Sequence, residues 1–411
     1  MTRKAGAPSV TVYVSMHLTQ QFYPMSVPYW RLSGFYLFYF ATLGGFLPYW
    51  NLYLKHLGLD AAQIGNLSAV LVGSRIIAPN FWGWIADRTG KNLRLIRLTL
   101  FFSAAAFSGF LAARGYVELA LCTFGFGVFW NASLPLFEAV TLAHLRDDAH
   151  RYSRIRLWGS VGFIVAVQGL GWWFDRQPIE QLRLFVVTLL LLNWIVTLML
   201  PNPAPRRPHR EPSRVLSVLK RPEVLAFLVV SMLLQAAHGP YYVFYSIYLQ
   251  QLGYSAAATG SLWAAGVCAE IVLFIFMRSL LGLLSLRSIL LWSLLLAAVR
   301  WLLIGWLAQT AFLVLAQLLH AASFGAAHIA AIHLVQRHFG ERHQSKGQAL
   351  YSSFSFGLGG MGGSLFSGYY WDVLGPRTIF GAAALACFLA YLIACFGLAR
   401  DHGEKAAARL K

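Results

Sequence analysis

Residues 53–67 read YLKHLGLDAAQIGNL, and residues 248–262 read YLQQLGYSAAATGSL. Tyr53-Leu54, Leu57-Gly58, Ala61-Ala62, Gly65 and Leu67 return as Tyr248-Leu249, Leu252-Gly253, Ala256-Ala257, Gly260 and Leu262, at a constant offset of 195. Gly162, Gly171 and Asp175 return as Gly359, Gly368 and Asp372 at an offset of 197. Nearly equal offsets in two separated regions mark an internal duplication. Outward from these stretches the chain is a series of apolar runs divided by short polar loops. Twelve runs reach the roughly 20 residues that a helix needs to span a hydrocarbon core. They are 30–54, 62–86, 95–113, 117–143, 156–174, 182–200, 224–249, 257–280, 288–307, 311–335, 348–371 and 378–399. The repeat unit is six helices, an even number, so both halves cross the membrane in the same sense.

Composition agrees with lipid as the main solvent. The 411 residues are 58% hydrophobic and 12% charged, whereas a soluble domain carries about 25% charged residues. The formal charge is +18, but the basic residues recur between apolar runs and form no single patch, so nucleic acid is not an expected partner. Alternate loops hold 26 and 5 Lys and Arg. The positive-inside rule places the richer set, and both termini, in the cytoplasm of a bacterial inner (plasma) membrane. Cys122, Cys268, Cys387 and Cys395 lie in apolar runs without CxxC spacing, so neither a disulfide framework nor a metal site is expected. Residues 1–28 read as a cytoplasmic tail or a start-site artefact, with Met16 and Met25 as alternative starts. The Pro- and Arg-rich stretch 201–222 reads as a linker between bundles at 29–200 and 223–399, and 400–411 as a second tail. The expected fold is an all-α membrane protein, twelve transmembrane helices in two parallel six-helix repeats. Repeats of this kind place a substrate site between the halves near the bilayer midplane.

Ionisable residues at depth mark that site, because a charge at a helix centre costs about 2.5–3.5 kcal/mol even by the lower scales. Arg75 lies mid-way along helix 2, Glu138 in the cytoplasmic part of helix 4, and Arg156 begins helix 5. Glu270 is central in helix 8 and Arg300 lies within helix 9; Arg75 and Glu270 are related by the offset of 195. Structural ion pairs are the plainer reading, and a charged central cavity the functional one. His320 and His328 share a face of helix 10, with Gln317 one turn before His320. His238 lies in a helix-7 stripe with Gln235, Tyr242 and Tyr245, and Asn131 lies on helix 4. An imidazole suits proton relay near neutral pH, although a buried histidine also serves as a simple helix contact. Aromatics crowd helices 1 and 7, from Tyr36 to Tyr53 and from Tyr241 to Tyr248, and offer an apolar wall suited to a ring. The run Gly357-Leu358-Gly359-Gly360-Met361-Gly362-Gly363 permits close, sliding helix contact.

The loop after helix 2, Gly83-Trp84-Ile85-Ala86-Asp87-Arg88-Thr89-Gly90-Lys91-Asn92, resembles the major facilitator signature G-x-x-x-D-R-x-G-R/K-R/K. Gly83, Asp87, Arg88 and Gly90 are its latch residues. Asp87 can hold a neighbouring helix end and Gly90 permits a tight turn; an ordinary basic loop is the plainer alternative. The corresponding loop of the second half, Arg278 to Arg287, lacks the aspartate. From Tyr29 to about Arg400 the pattern resembles the 3-phenylpropionic acid transporters, a branch of the major facilitator superfamily related to lactose permease. Phe46-Leu47-Pro48-Tyr49-Trp50, Arg156-Leu157-Trp158-Gly159-Ser160-Val161 and Gln235-Ala236-Ala237-His238-Gly239-Pro240-Tyr241-Tyr242 carry the resemblance. Ala269-Glu270, Val299-Arg300-Trp301 and Gln317-Leu318-Leu319-His320 fit it too. It implies that Glu138 and Arg156 match the permease's helix-4 carboxylate and helix-5 arginine. Glu270, Arg300 and His320 match its substrate-linked carboxylate, helix-9 arginine and helix-10 histidine. Two positions depart. Phe163 stands where a sugar-stacking tryptophan is expected, and Gly325 where the permease has its proton-carrying carboxylate.

The sequence therefore predicts a proton-coupled symporter, not an enzyme, importing a small organic solute by alternating access. It needs no cofactor, being driven by the proton gradient, and is expected to act as a monomer in the lipid bilayer. Substrate-binding candidates are Arg75, Asn131, Glu138, Arg156, His238 and Tyr242. Proton-coupling candidates are Glu270, Arg300, His320 and His328, with Glu270 as carrier and Arg300 discharging it. The three arginines exceed the two glutamates by one charge, which suits an aromatic monocarboxylate such as 3-phenylpropionate, with Arg75 and Arg156 as its partners. A neutral galactoside or nucleoside is the alternative. A lipid flippase, a transport-dead sensor and a membrane acyl transferase are more distant ones.

Overall fold

Turn and capping residues set the helix limits in the computed structural model, which describes residues 27–145, 149–203 and 218–398. The expected tails and most of the linker lie outside these residues. Asp60 accepts a hydrogen bond from the Gln63 amide and forms a capping box that opens α2 (Ala61–Thr89), while Ser255 accepts one from the Ala258 amide to open α8 (Ala256–Leu283). Gly58 and Gly253, related by the offset of 195, both close the preceding helix with φ +84. A side chain would be strained there, so the repeat preserves a turn and not only a composition.

The remaining helices are α1 (Tyr29–His56), α3 (Asn92–Ser108), α4 (Tyr116–Leu145), α5 (Ala149–Phe174), α6 (Leu182–Leu198), α7 (Pro222–Gln251) and α9 (Leu286–Trp306). The last stretch divides into α10 (Thr310–Gly340), α11 (residues 341–374) and α12 (376–397), because Gly340 and Gly375 take left-handed φ of 65 and 74. Among the described residues these make twelve helices; ten stretches are long and apolar enough to cross a membrane, α11 and α12 counting there as one and α1 not among them. Most limits shift by a few residues from the sequence reading, and two of the shifts move a residue that it had placed. Arg156 does not begin helix 5, since α5 starts at Ala149 and puts Arg156 in its second turn. The polar residues before it are helical but lie beyond the apolar run that hydropathy detects. Pro222 belongs to α7 and not to the linker, at the first turn where a missing N–H costs nothing.

The outer surface is apolar: Ile275 is 71% exposed and Phe396 88%. Solvent-exposed side chains of this kind would be a liability in water, but they are the expected contact with lipid chains. Inside each half, equivalent helices meet at equivalent points. A Cβ at Gly162 would stand 2.1 Å from the Leu37 carbonyl oxygen of α1, and one at Gly359 would stand 2.4 Å from that of Met232 in α7. The pairs Leu37/Met232 and Gly162/Gly359 are repeat mates. Between the halves, α5 packs on α8 and α11 on α2, so the walls of the central region come from both halves.

Candidate functional site

In the second half, four helices bring their polar side chains to one place. The Arg300 guanidinium on α9 is fully buried. Its Cζ lies 4.3 Å from the Tyr241 ring centroid and 4.4 Å from that of Trp301, so aromatic rings flank the cation. Nη1 faces His238 Nε2 at 3.5 Å and Ser323 Oγ at 3.4 Å. His238 Nδ1 lies 2.8 Å from the Leu234 carbonyl oxygen. A carbonyl can only accept, so Nδ1 carries the proton and Nε2 is left to accept from Arg300. Arg300 Nε and Nη2 have no hydrogen-bond partner among the described residues. The Tyr241 hydroxyl donates to Gln317 Oε1 at 2.9 Å and keeps lone pairs able to accept from the nearby guanidinium, though no contact there reaches hydrogen-bond geometry. Gln317 Nε2 in turn donates to the Tyr245 hydroxyl at 2.8 Å.

Glu270 faces this cluster from α8. Its Oε1 stands 3.2 Å from His320 Nε2. That approach is a charge contact whose angles fall outside hydrogen-bond geometry, and Glu270 Oε1 and His320 Nδ1 remain without a bonded partner among the described residues. A π-helical segment, Ala321–Ala326, follows His320 directly. Such wide turns re-aim side chains and recur at functional sites; here one carries Ser323 to Arg300. A Cβ at Gly325, in the same segment, would stand 3.6 Å from Glu270 Cγ. His328 stacks behind Phe324, whose ring separates it from His320. Its Nδ1 meets the Tyr351 hydroxyl at 3.2 Å, away from Glu270.

The first half is polar but bonded. Arg75 Nε donates to Asn131 Oδ1 at 3.2 Å, and Asn131 Nδ2 donates to the Leu71 carbonyl at 3.0 Å and Ser74 Oγ at 2.7 Å. Glu138 lies near the Tyr152 and Tyr36 hydroxyls, and Tyr36 donates to Thr141 Oγ1 at 3.4 Å. Arg156 lies over the Phe40 ring, Cζ 4.1 Å from its centroid. Two electrostatic contacts cross between the halves: Arg156 with Glu270, and Arg75 with Tyr242. Of the predicted residues, Arg75 and Arg156 act across the halves on Tyr242 and Glu270, Asn131 and Glu138 have their partners within the first half, and His328 lies behind Phe324.

The signature loop is built as its glycine implies. Gly90 takes φ +65 and its N–H bonds the Ala86 carbonyl, closing α2. Arg88 stacks on Trp84 with Cζ 4.0 Å from the ring centroid. Asp87 is exposed and holds no helix end among the described residues.

Sequence reasoning missed several participants. Tyr241 was one aromatic among many; that it flanks Arg300 and bonds Gln317 depends on where α10 lies. Ser323 reaches Arg300 through the π segment, which no hydropathy pattern signals. Tyr152 sits in the part of α5 that polar composition disguised as a loop.

Comparison with known proteins sets this geometry in context. Residues 29–382 match the family model described as MFS_1 like family. A "probable 3-phenylpropionic acid transporter" of Escherichia coli (strain K12) is 35% identical over 288 residues, 67% of this chain and 73% of that protein. The maltose permease of Geobacillus stearothermophilus is 27% identical over 374 residues, covering 87% of this chain and 92% of the permease. Among solved structures, nucleoside transporter NupG superposes with a TM-score of 0.78 at 17% identity, over 89% of this chain and 98% of that one. At that identity the likeness speaks for the fold alone.

Proposed function

The chain belongs to the MFS_1 like family of membrane transporters, and from that premise we propose that it is a proton-coupled symporter importing an aromatic monocarboxylate. The observation that carries this reading is the Glu270–His320 contact facing buried Arg300 in the middle of the bundle. A carboxylate with an unbonded oxygen beside an imidazole, at a depth where charge is costly, is suited to gaining and losing a proton during transport. The resemblance to lactose permease leaves the usual proton position empty at Gly325, and Glu270 stands directly beside it. The inner-facing aromatics Tyr241, Tyr242 and Trp263 offer a wall for a ring. The Escherichia coli relative carries the name "probable 3-phenylpropionic acid transporter", and that substrate class fits the excess of cationic side chains. Loop charge places the termini in the cytoplasm of a bacterial inner membrane, with Asp87 latching the cytoplasmic side when the site faces outward.

Uptake of labelled 3-phenylpropionate into proteoliposomes, with and without an inward proton gradient, tests the reading. Glu270→Gln is expected to lose uphill accumulation while keeping counterflow exchange, since exchange requires no deprotonation. Gradient-driven uptake by this variant at the unmodified level would remove Glu270 from the mechanism. Uptake of a neutral sugar or nucleoside, with aromatic acids ignored, would replace the substrate and leave only the transporter.

A further inference from the structure

We propose that the Nε–Nη2 edge of Arg300 is the receptor for the substrate carboxylate, and that it takes the anion only when Glu270 carries a proton. This rests on the symport reading above but assigns the anion differently. Sequence reasoning assigns the carboxylate to Arg75 or Arg156. In the structure Arg75 spends its Nε on Asn131, and Arg156 lies half-buried against Phe40. Arg300 alone of the three is wholly buried with two donors unmet among the described residues.

Burying a guanidinium costs several kcal/mol unless an anion and hydrogen bonds compensate. The arrangement around Arg300 leaves that compensation incomplete. Tyr241 and Trp301 flank the guanidinium, and Nη1 is engaged, at long distance, by His238 and Ser323. What remains is the side edge, where Nε–H and one Nη2–H point the same way and match the two oxygens of a carboxylate. The aromatic neighbours then place a substrate's ring beside Tyr241, Tyr242 and Trp263 while its carboxylate meets the fork.

Glu270 is the acid in electrostatic contact with Arg300, and an ionised Glu270 competes with an incoming anion for the same cation. The other titratable and charged groups around Glu270 are His320 from α10, Arg156 from α5, and His238, Tyr241 and Tyr242 from α7. None of these removes a negative charge as the anion arrives. Protonation of Glu270 does. The proton cancels the anion's charge, so the loaded and empty centres carry the same net charge and the cycle is electroneutral.

The test uses the full-length purified protein in weakly buffered detergent solution, with 3-phenylpropionate and its amide as probes. Arg300→Lys keeps the charge but loses the fork, and is expected to weaken binding of the acid by at least about tenfold, or about 1.4 kcal/mol. Arg156→Lys is expected to weaken it by less than about threefold. The amide should bind poorly to every form. Unmodified protein should take up one proton per anion bound near neutral pH, and Glu270→Gln should bind the acid with no proton uptake. Unchanged acid affinity in Arg300→Lys, or binding of the acid by unmodified protein without a proton, overturns the proposal. If Arg300→Lys does not fold, the two proton measurements decide, because a proton still taken up by Glu270→Gln excludes Glu270 as its acceptor. If the acid binds and is transported but these arms fail, the symport reading stands without Arg300 as receptor. If only neutral solutes bind, both fail.

Discussion

The two helix pairs that join the halves, α5 with α8 and α11 with α2, are repeat mates with the same backbone contact and different chemistry. A Cβ at Gly171 would stand 2.8 Å from the Ala256 carbonyl oxygen, and one at Gly368 would stand 3.0 Å from that of Ala61. A Cβ at Gly260 would stand 2.6 Å from the Val167 carbonyl oxygen, and one at Gly65 would stand 2.8 Å from that of Ser364. Each residue in the first pair maps on its counterpart in the second by the offsets of 195 and 197. The bonds do not follow. At α5–α8, Asp175 Oδ1 accepts from the Ala256 and Ala257 amides at 2.7 and 3.2 Å. Tyr49 of α1 donates to the Val167 carbonyl within its own half at 2.7 Å and reaches across to the Ala256 carbonyl of α8 at 3.3 Å, and Ser261 donates to Gln168 Oε1 at 3.1 Å. Around Gly65 and Gly368, no side-chain hydrogen bond crosses between α2 and α11 among the described residues. Phe244, the mate of Tyr49, has no hydroxyl to reach across; within its own half it stacks on Trp371 with centroids 4.5 Å apart, as Tyr49 meets Phe174 at 5.4 Å.

The difference shows what duplication preserved and what it released. Close approach of two helices requires glycine on both sides, whatever else the contact does, and the glycines are kept. Directional bonds hold one relative position and must break before the helices separate, whereas apolar contact tolerates sliding. One side of the molecule is a clasp; the other is a sliding face.

The largest effect is expected where the two contacts are alike. Gly171→Leu and Gly368→Leu each place a side chain where backbone already lies, and each should reduce uptake at least about tenfold, equivalent to about 1.4 kcal/mol. Near-normal uptake in either variant would mean that the contact is not required in the transport cycle. A smaller effect should separate the two sides. Asp175→Asn removes the charge that the α8 N-terminus favours, worth about 1 kcal/mol at an exposed helix end. Labelling of a cysteine introduced at that end should rise about fivefold, while Asp372→Asn should leave it unchanged. Equal responses would erase the distinction between clasp and sliding face. The smallest effect is expected from Tyr49→Phe. It removes one neutral hydroxyl shared between the Val167 carbonyl of its own half and the Ala256 carbonyl of α8, worth about 0.5–1.5 kcal/mol. A two- to threefold rise in labelling, about 0.5 kcal/mol, is expected; a larger change than in Asp175→Asn would reverse their ranking.

The candidate site was legible to an uneven degree. Arg75, Glu138, Arg156, Glu270 and Arg300 stood out because a charge in an apolar run is expensive, and His320 stood out by its spacing from Gln317. Their gathering in a central cavity was expected from the cost of burying them, and their individual roles only from a resemblance. Which arginine is bonded and which is unmet could not be read, because that depends on Asn131 reaching Arg75 from α4 and on Tyr241 and Trp301 closing over Arg300. His328 shows the reverse error. Eight residues from His320, it does stack on the same face, yet Phe324 stands between them.

The twelve helices, the duplication, the equivalent turns at Gly58 and Gly253 and the identities of the deep charges were fixed by local chemistry. Each follows from hydropathy, backbone conformation or the cost of burying an ion, all of which act residue by residue. Tertiary structure alone decided the free edge of Arg300, the charge contact between Glu270 and His320 and the hydrogen-bonded side of the interface. Hydrogen bonds between side chains on different helices require ångström placement of both partners, and here that placement is set by glycine contacts and π segments far along the chain from some of the groups they align.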